Sequence, residues 1–226
     1  MRAARPRTMS NIDPLQGILA IAFLVLSLGI HEAAHAWVAY LRGDSTARDL
    51  GRMTLNPVVH IDLFMTILLP LFLFMSGLTM FGGAKPVPVN PHRLRSPLRD
   101  MSLVALAGPA SNVLLAIIFM VIYKALYYYG LYPPDTRMMR VLDYTAFINI
   151  LLAVFNMVPI PPLDGSRVMA YVLPPSLRES YVRLERFGML FVVLFVFVIP
   201  QTRALLGGGI RALYTALDAL TGGAWV

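Results

Sequence analysis

The chain has 226 residues, of which 58% are hydrophobic and only 14% are charged, and its mean hydropathy is +0.68. This composition is typical of a polytopic membrane protein and excludes an ordinary soluble domain. The chain has no cysteine, so any metal must be bound by His, Asp or Glu. The net charge is +7, and the Lys and Arg residues lie in short stretches between apolar runs, as membrane anchoring requires. No nucleic-acid partner is therefore expected.

The N-terminal tail, residues 1–13, is basic and leads into an apolar run that we predict to be a transmembrane helix over 14–41. A signal peptide is the alternative interpretation. It is disfavoured because no small-residue cleavage site follows a short apolar core. Met9 is an alternative start of translation.

The end of this first apolar run carries an H-E-x-x-H motif at residues 31–35. Residues four apart lie on one face of a helix, with Cβ atoms about 5–6 Å apart, so His31 and His35 can bind one Zn²⁺. Glu32 lies about 100° round the helix, where it can act as the general base on a water molecule at that metal. A chance cluster satisfied by hydrogen bonds is disfavoured, because a charged group at mid-bilayer depth costs about 2.5–3.5 kcal/mol.

A possible re-entrant hairpin is predicted over 62–98. The apolar run at 63–81 is close to the ~20 residues that a spanning helix needs. The prolines that follow it forbid helix and favour an extended backbone. A full span would place two basic loops on opposite sides of the membrane, so we predict that the run returns, with its helix paired to an extended strand at Lys85–Asn90.

The second half of the chain is predicted to contain three more helical regions and a C-terminal helix. A helix over 99–129 contains Gly-Pro-x-x-Asn at 108–112, and a helix within 141–165 ends in a proline-rich turn. A loop then holds four arginines: Arg167, Arg178, Arg183 and Arg186. A helix over 187–200 precedes an amphipathic helix over 204–226, which is expected to lie at the membrane interface.

The predicted fold is therefore one all-α polytopic membrane domain over 1–226. It has about four to six transmembrane helices and a short re-entrant or β-like segment near the metal site.

Three motifs together resemble the site-2 protease family of intramembrane zinc metalloproteases. They are the H-E-x-x-H, the N-x-x-P-x-P-x-L-D-G pattern from Asn156 to Gly165, and the G-P-x-x-N at 108–112, with the Lys85–Asn90 stretch beside them. The sequence shows no PDZ-like insertion between the third and fourth apolar runs, and in this it resembles the short branch of that family. The resemblance implies that His31, His35 and Asp164 bind one Zn²⁺ per chain, with Glu32 as the catalytic base.

The residues themselves also call for a third ligand, because a catalytic zinc keeps three protein ligands and one open position. Asp164 is the best candidate, since it follows an apolar helix and a proline-broken turn where a side chain can point into a cavity. Its alternative role is to cap a helix or turn. His60, Asp62 and His92 are rival ligands by chemistry alone, but each lies beside a polar loop.

Four further residues are candidates for contact with substrate or oxyanion. Asn156 resembles a family asparagine that helps to hold the substrate or the oxyanion, but it can equally bond a neighbouring helix. Asn112 has the same two interpretations, and the structural one is favoured, as it is for Asn149. Val87 and Val89 would hold an unwound substrate by strand addition, or the stretch that contains them covers the zinc site.

The expected function is zinc-dependent cleavage of transmembrane segments of membrane-protein substrates in a prokaryotic plasma membrane. Eleven of the nineteen Lys and Arg residues lie in 42–61, 82–99 and 158–186, which predicts that the active site faces the cytoplasm. A catalytically silent scaffold of the same fold is disfavoured by the intact Glu32. A zinc transporter is disfavoured because it needs ionisable residues along several helices. The sequence indicates no oligomeric state.

Overall fold

The computed structural model describes residues 14–76, 82–195 and 199–223; the predicted tail over 1–13 lies outside these residues. The α-helices are α1 (Pro14–Leu41), α2 (Thr46–Asp49), α3 (Leu69–Met75), α4 (Pro97–Tyr128), α5 (Arg137–Asn156), α6 (Asp164–Val172), α7 (Pro175–Arg183), α8 (Gly188–Val193) and α9 (Pro200–Leu220). Short 3-10 turns lie at Pro57–His60, Pro91–Arg93 and Leu184–Phe187, and a π-helical segment, Leu63–Leu68, leads into α3.

The predicted all-α class is confirmed, since the regular structure of the described residues is entirely helical. Within the described ranges, three helices are long and apolar enough to cross a membrane: Ile21–Leu41 of α1, all of α4 and all of α5. The expected count of four to six spans stays a prediction, because α3 and α8 are shorter and are followed by residues outside the described ranges.

Helices α1, α4 and α5 form the bundle that carries the site. Phe23 packs edge to face against Phe119, with 5.8 Å between ring centroids, and His31 meets Asn112 farther along. Helices α1 and α4 are therefore antiparallel. Helices α1 and α5 run parallel through a buried apolar cluster: Leu24, Leu28, Ile148 and Leu152.

The end of α1 is set by a glycine. Gly43 has a φ of +109°, which favours glycine, and its N–H donates to the carbonyl of Tyr40. The N–H of Asp44 reaches back to the carbonyl of Ala39 at 2.9 Å. These two bonds form a Schellman motif, which satisfies the last carbonyls of the helix that carries the H-E-x-x-H.

The region after α5 differs from the prediction. The helix expected within 141–165 begins earlier, at Arg137, and ends at Asn156 before the proline-rich turn, and the loop expected after Asp164 forms the short helices α6 and α7. Isolated helices of this length are marginal, so most of their stability comes from tertiary packing. Helix α6 packs against α4, a contact that the sequence pattern does not show.

The C-terminal helix also differs from the prediction. Of the helix expected over 187–200, α8 covers Gly188–Val193, and α9 already begins at Pro200. Helix α9 runs antiparallel along α5, where Leu217 is buried in a cluster with Ala146. The packing shows that α9 belongs to the helical bundle, and its expected position at the membrane interface stays a prediction.

A charged pair joins α9 to α4. Lys124 of α4 lies 2.6 Å from the carboxylate of Asp218 and also donates to the hydroxyl of Thr221 at 2.8 Å. The two opposite charges therefore compensate each other where α9 meets α4.

The segment that starts at Leu63 turns back on itself. The N–H of Gly83 donates to the carbonyl of Met65 at 3.0 Å, and the hydroxyl of Thr66 donates to the carbonyl of Gly83 at 2.6 Å. The return is therefore complete before Lys85, so the return leg is not the Lys85–Asn90 strand that the sequence predicted. Residues 82–90 run extended without strand pairing.

Candidate metal centre

Three side chains from two helices meet at one point. Nε2 of His31 and Nε2 of His35 are 3.0 Å apart, and they lie 3.2 Å and 3.4 Å from Oδ2 of Asp164. Both histidines are buried, with 4% and 8% of their surface exposed. Among the described residues, these three form the one group of His, Asp and Glu side chains close enough to share a metal ion.

The dimensions of this triangle fit zinc. Tetrahedral zinc with ligand bonds of 2.0–2.1 Å separates its ligand atoms by about 3.3 Å. The observed edges of 3.0, 3.2 and 3.4 Å bracket that value. Oδ2 of Asp164 is buried without a hydrogen-bond partner, which is the condition of an oxygen that a cation would satisfy. The donor set of two imidazoles and one carboxylate is one that zinc accepts.

The ring of His35 is oriented from α4. Its Nδ1 lies 2.7 Å from the carbonyl oxygen of Val104. A carbonyl only accepts, so Nδ1 carries the proton, and in the neutral ring Nε2 is left with its lone pair facing the triangle. The Nδ1 of His31 is held by Asn112 at 2.6 Å.

Gly108 makes the room for both rings. A Cβ atom at this position would lie 2.4 Å from Nε2 of His35 and 2.5 Å from Cε1 of His31. Real Cβ atoms do not approach other atoms so closely, and α4 can pass beside the ligands only because residue 108 has no side chain. This explains the glycine of the G-P-x-x-N motif.

Asp164 is brought to the triangle by the first turn of α6. A Cβ on Gly165 would lie 2.2 Å from the carbonyl oxygen of Met157, so the start of α6 presses directly on the end of the preceding turn. The carboxylate at the N-terminus of α6 is also in a favourable position for the helix dipole. The glycine of the L-D-G sequence is therefore a packing requirement.

Glu32 lies beside the triangle and is held by the extended stretch at 82–90. Its Oε2 accepts a hydrogen bond of 2.8 Å from the main-chain N–H of Val87, and only 9% of the residue is exposed. A cavity of about 520 Å³ adjoins the site, and the ligands, Glu32, Val87 and Asn156 line it. The site thus combines a metal-binding triangle, a buried carboxylate and space for a substrate.

The family model for Peptidase family M50 matches residues 19–132 and 132–199, which include every residue of this site. The chain belongs to peptidase family M50. The site-2 protease resemblance is confirmed, and the chain is a metalloprotease by family.

Two relatives of this M50 peptidase align with most of the chain. "Putative zinc metalloprotease YwhC" of Bacillus subtilis is 40% identical over 177 residues, which cover 76% of this chain and 78% of the relative. "Putative zinc metalloprotease Rip2" of Mycolicibacterium smegmatis is 31% identical over 180 residues, covering 79% of this chain and 66% of the relative. No solved structure matches the chain.

The rival ligands of the M50 peptidase lie apart from the triangle. His60 is buried and its Nε2 lies 3.0 Å from the carbonyl of Thr54. Asp62 lines the cavity, but one of its carboxylate oxygens accepts from the N–H groups that begin the π-helical segment. His92 is exposed. None of the three joins the ligand group found in the described residues.

The substrate candidates fall into two groups. Asn156 and Val89 line the cavity, and the side-chain amide of Asn156 donates to the carbonyl of Leu152 within α5. The side chain of Asn112 contacts Nδ1 of His31, the ring nitrogen that faces away from the triangle. This position does not support contact with an oxyanion.

The N–H of Val87 is already occupied by Glu32, and Pro86 and Pro88 have no N–H to offer. Strand addition needs alternating donors and acceptors along one edge, so this stretch is a poor partner for a substrate strand. Sequence reasoning missed the contact because main-chain donors carry no residue signature.

Proposed function

We propose that this M50 peptidase is a zinc-dependent intramembrane endopeptidase with one Zn²⁺ per chain. The observation that carries the proposal is the convergence of His31, His35 and Asp164 on one point beside the buried Glu32. Two of the three side chains come from α1, which is long and apolar enough to cross a membrane, and the third comes from the short helix α6.

The three ligands would hold the metal from two separate helices. His31 and His35 supply neutral imidazoles from α1, and Asp164 supplies the charged oxygen from α6. When bound, zinc acts as a Lewis acid on the scissile carbonyl and lowers the pKa of water to about 7.

Glu32 would move the proton. Its Oε2 is fixed by Val87, and its other carboxylate oxygen has no hydrogen-bond partner among the described residues. That oxygen accepts a proton from the attacking water and later returns it to the leaving amine. A carboxylate held on one side by the main chain keeps one geometry through both transfers.

The substrates would be transmembrane helices of other membrane proteins. The cavity is enclosed by apolar side chains of three helices, for example Leu28, Val104 and Leu152, together with the extended stretch. A substrate helix must unwind to expose a peptide bond, and the cavity gives such an unwound segment access to Glu32. The excess of Lys and Arg in 42–61, 82–99 and 158–186 supports a plasma membrane with the active site on its cytoplasmic side.

The test uses purified protein in detergent. Bound zinc is measured by elemental analysis, and cleavage of a transmembrane test substrate is followed for the wild type and Glu32→Gln. Asp164→Asn tests the third ligand, and Asp62→Asn is its matched control, because it changes a carboxylate that lines the same cavity outside the triangle.

We expect about one zinc in the wild type, Glu32→Gln and Asp62→Asn, less zinc in Asp164→Asn, and no cleavage by Glu32→Gln. Full cleavage by Glu32→Gln would overturn its role as base. Zinc without cleavage by the wild type would indicate a membrane scaffold, and a wild type without zinc would overturn the proposal as a whole.

A further inference from the structure

A chain of buried amides runs behind His31. Oδ1 of Asn112 lies 2.6 Å from Nδ1 of His31, and Nδ2 of Asn112 donates to Oδ1 of Asn149 at 2.9 Å. Nδ2 of Asn149 donates in turn to the carbonyl of Thr145 at 2.8 Å and to the hydroxyl of Ser27 at 2.9 Å. Both asparagines are fully buried, at 0% exposure.

One main-chain carbonyl determines how the side-chain amides of Asn149 and Asn112 are oriented. The carbonyl of Thr145 only accepts, so the NH₂ group of Asn149 must face it and the oxygen of Asn149 must face Asn112. The NH₂ group of Asn112 then faces Asn149, and its oxygen faces His31. An amide oxygen also only accepts, so Nδ1 of His31 carries the proton and Nε2 of the neutral ring presents its lone pair to the triangle.

We propose that Asn149, supported by Ser27, is a positioning residue for the metal centre that acts on His31 through Asn112. This proposal rests on one part of the proposed function, namely that His31, His35 and Asp164 bind zinc. Without Asn149, the amide of Asn112 is free to turn by 180° and present its NH₂ group to His31, which favours the tautomer that cannot bind the metal. Partners behind a metal-binding histidine typically change metal affinity by about 10–100-fold.

A competing role for Asn149 is the packing of α1, α4 and α5, since the amide chain joins all three helices. The two roles differ in what they predict. A packing residue affects zinc binding no more than any other buried residue of α5. A positioning residue that acts through Asn112 loses its effect once Asn112 has been removed.

The experiment measures zinc affinity by competition with a chelator, on the full-length protein in detergent. The variants are Asn112→Leu, Asn149→Leu and the double variant. The matched control is Ile150→Ala, which opens a cavity in the apolar cluster with Met120 and Leu217, at a side chain as fully buried as that of Asn149. Thermal unfolding of each protein without zinc reports the loss of packing.

We expect each single leucine variant to weaken zinc binding by about 10–100-fold. The double variant should bind no more weakly than Asn112→Leu, and Ile150→Ala should stay within about threefold of the wild type despite its lower unfolding temperature. Asn149→Leu within about threefold of the wild type would overturn the proposal, as would an equal effect of Ile150→Ala or additive effects of the two single variants.

Ser27→Ala keeps the proposal testable if the leucine variants do not fold. It removes one acceptor of Asn149 and should weaken zinc binding in the same direction by a smaller factor, so an unchanged affinity would overturn the proposal. Cleavage is assayed on the same samples. A wild type that binds zinc and does not cleave overturns the proposed function alone, and one that binds no zinc overturns both.

Discussion

The main-chain N–H of Val87 lies 2.8 Å from Oε2 of Glu32, so the carboxylate beside the metal site is held by a segment 55 residues away along the chain. The segment is fixed on both sides of this contact. The N–H of Lys85 donates to the carbonyl of His60 at 2.8 Å, and the N–H of Asn90 donates to Asp44 at 2.6 Å. The position of the Glu32 carboxylate is therefore fixed by loops outside its own helix.

Val87→Pro is expected to lower kcat by about tenfold or more, because a hydrogen bond to a charged group is worth about 1.5–3 kcal/mol. Bound zinc should be unchanged and KM should change little, because the lost hydrogen bond is to Glu32, the proposed base, and not to a proposed zinc ligand. Val89→Pro is the matched control, since it also lies in the extended stretch and its N–H has no partner among the described residues. If both variants instead lose kcat/KM equally, mainly through a higher KM, the result would support strand addition to the substrate.

Gly108→Ala is expected to abolish zinc binding, because its methyl group would occupy the space of the two histidine rings. Gly207→Ala is the control. A Cβ at position 207 meets none of the described residues within 4 Å, and alanine in place of glycine in a helix should stabilise α9 by about 0.5–1 kcal/mol. Elemental analysis and thermal unfolding measure the two effects. Full zinc content in Gly108→Ala would contradict the close approach of α4 to the site.

Asp44 should make the stability depend on pH. Burial acts to raise the pKa of Asp44, but hydrogen bonds from Thr46 and from the N–H of Asn90 outweigh it and hold the pKa below its usual value. A lowered pKa in the folded state adds stability above the unfolded pKa of about 3.9, and this stability is lost as the pH falls through the folded value.

The measurement compares the unfolding temperatures of the wild type and Asp44→Asn between pH 6 and pH 3. The wild type should be more stable at pH 6, and the difference should shrink below about pH 4. Asp135→Asn, at an exposed position between α4 and α5, should leave the profile unchanged. A difference that is constant across the range would show that the charge of Asp44 is not involved.

Asp218→Asn is expected to destabilise the protein by about 2 kcal/mol, because it leaves the charge of Lys124 poorly compensated. The expected loss of stability is smaller than for a fully buried ion pair, since the Lys124 and Asp218 side chains are 17% and 22% exposed. The double change Lys124→Met and Asp218→Leu should restore much of the loss. Thermal unfolding in detergent measures this, and a double variant that loses the sum of both single effects would contradict the pairing of α4 with α9.

Single cysteines test the return of the chain at Gly83, because the native chain has none. Gly83→Cys and Ser45→Cys should react with an impermeant reagent from the same side of the membrane. Asp135→Cys, in the link between two antiparallel candidate spans, should react from the other side. Of the described residues, a Cβ on Gly83 would meet only Met65, at 4.0 Å, so a cysteine fits there. Opposite-side labelling of residues 45 and 83 would exclude the re-entrant hairpin.

Sequence reasoning named the three residues that the structure brings together, because H-E-x-x-H and L-D-G are short local patterns of distinctive side chains. It did not find the N–H of Val87 or the carbonyl of Val104, because any residue supplies such groups and only the fold brings them near the site. It placed Asp164 at the start of a loop, because the nine residues of α6 become helical through packing on α4. Asn149 was named, but its link to His31 through Asn112 depends on how three helices cross.

The two helices that supply the ligands lie far apart in the order of synthesis. His31 and His35 emerge from the ribosome with the first helix, but the third ligand arrives only with Asp164, after α4 and α5 have been made. Synthesis therefore passes three candidate membrane spans before the proposed metal centre has its full set of ligands.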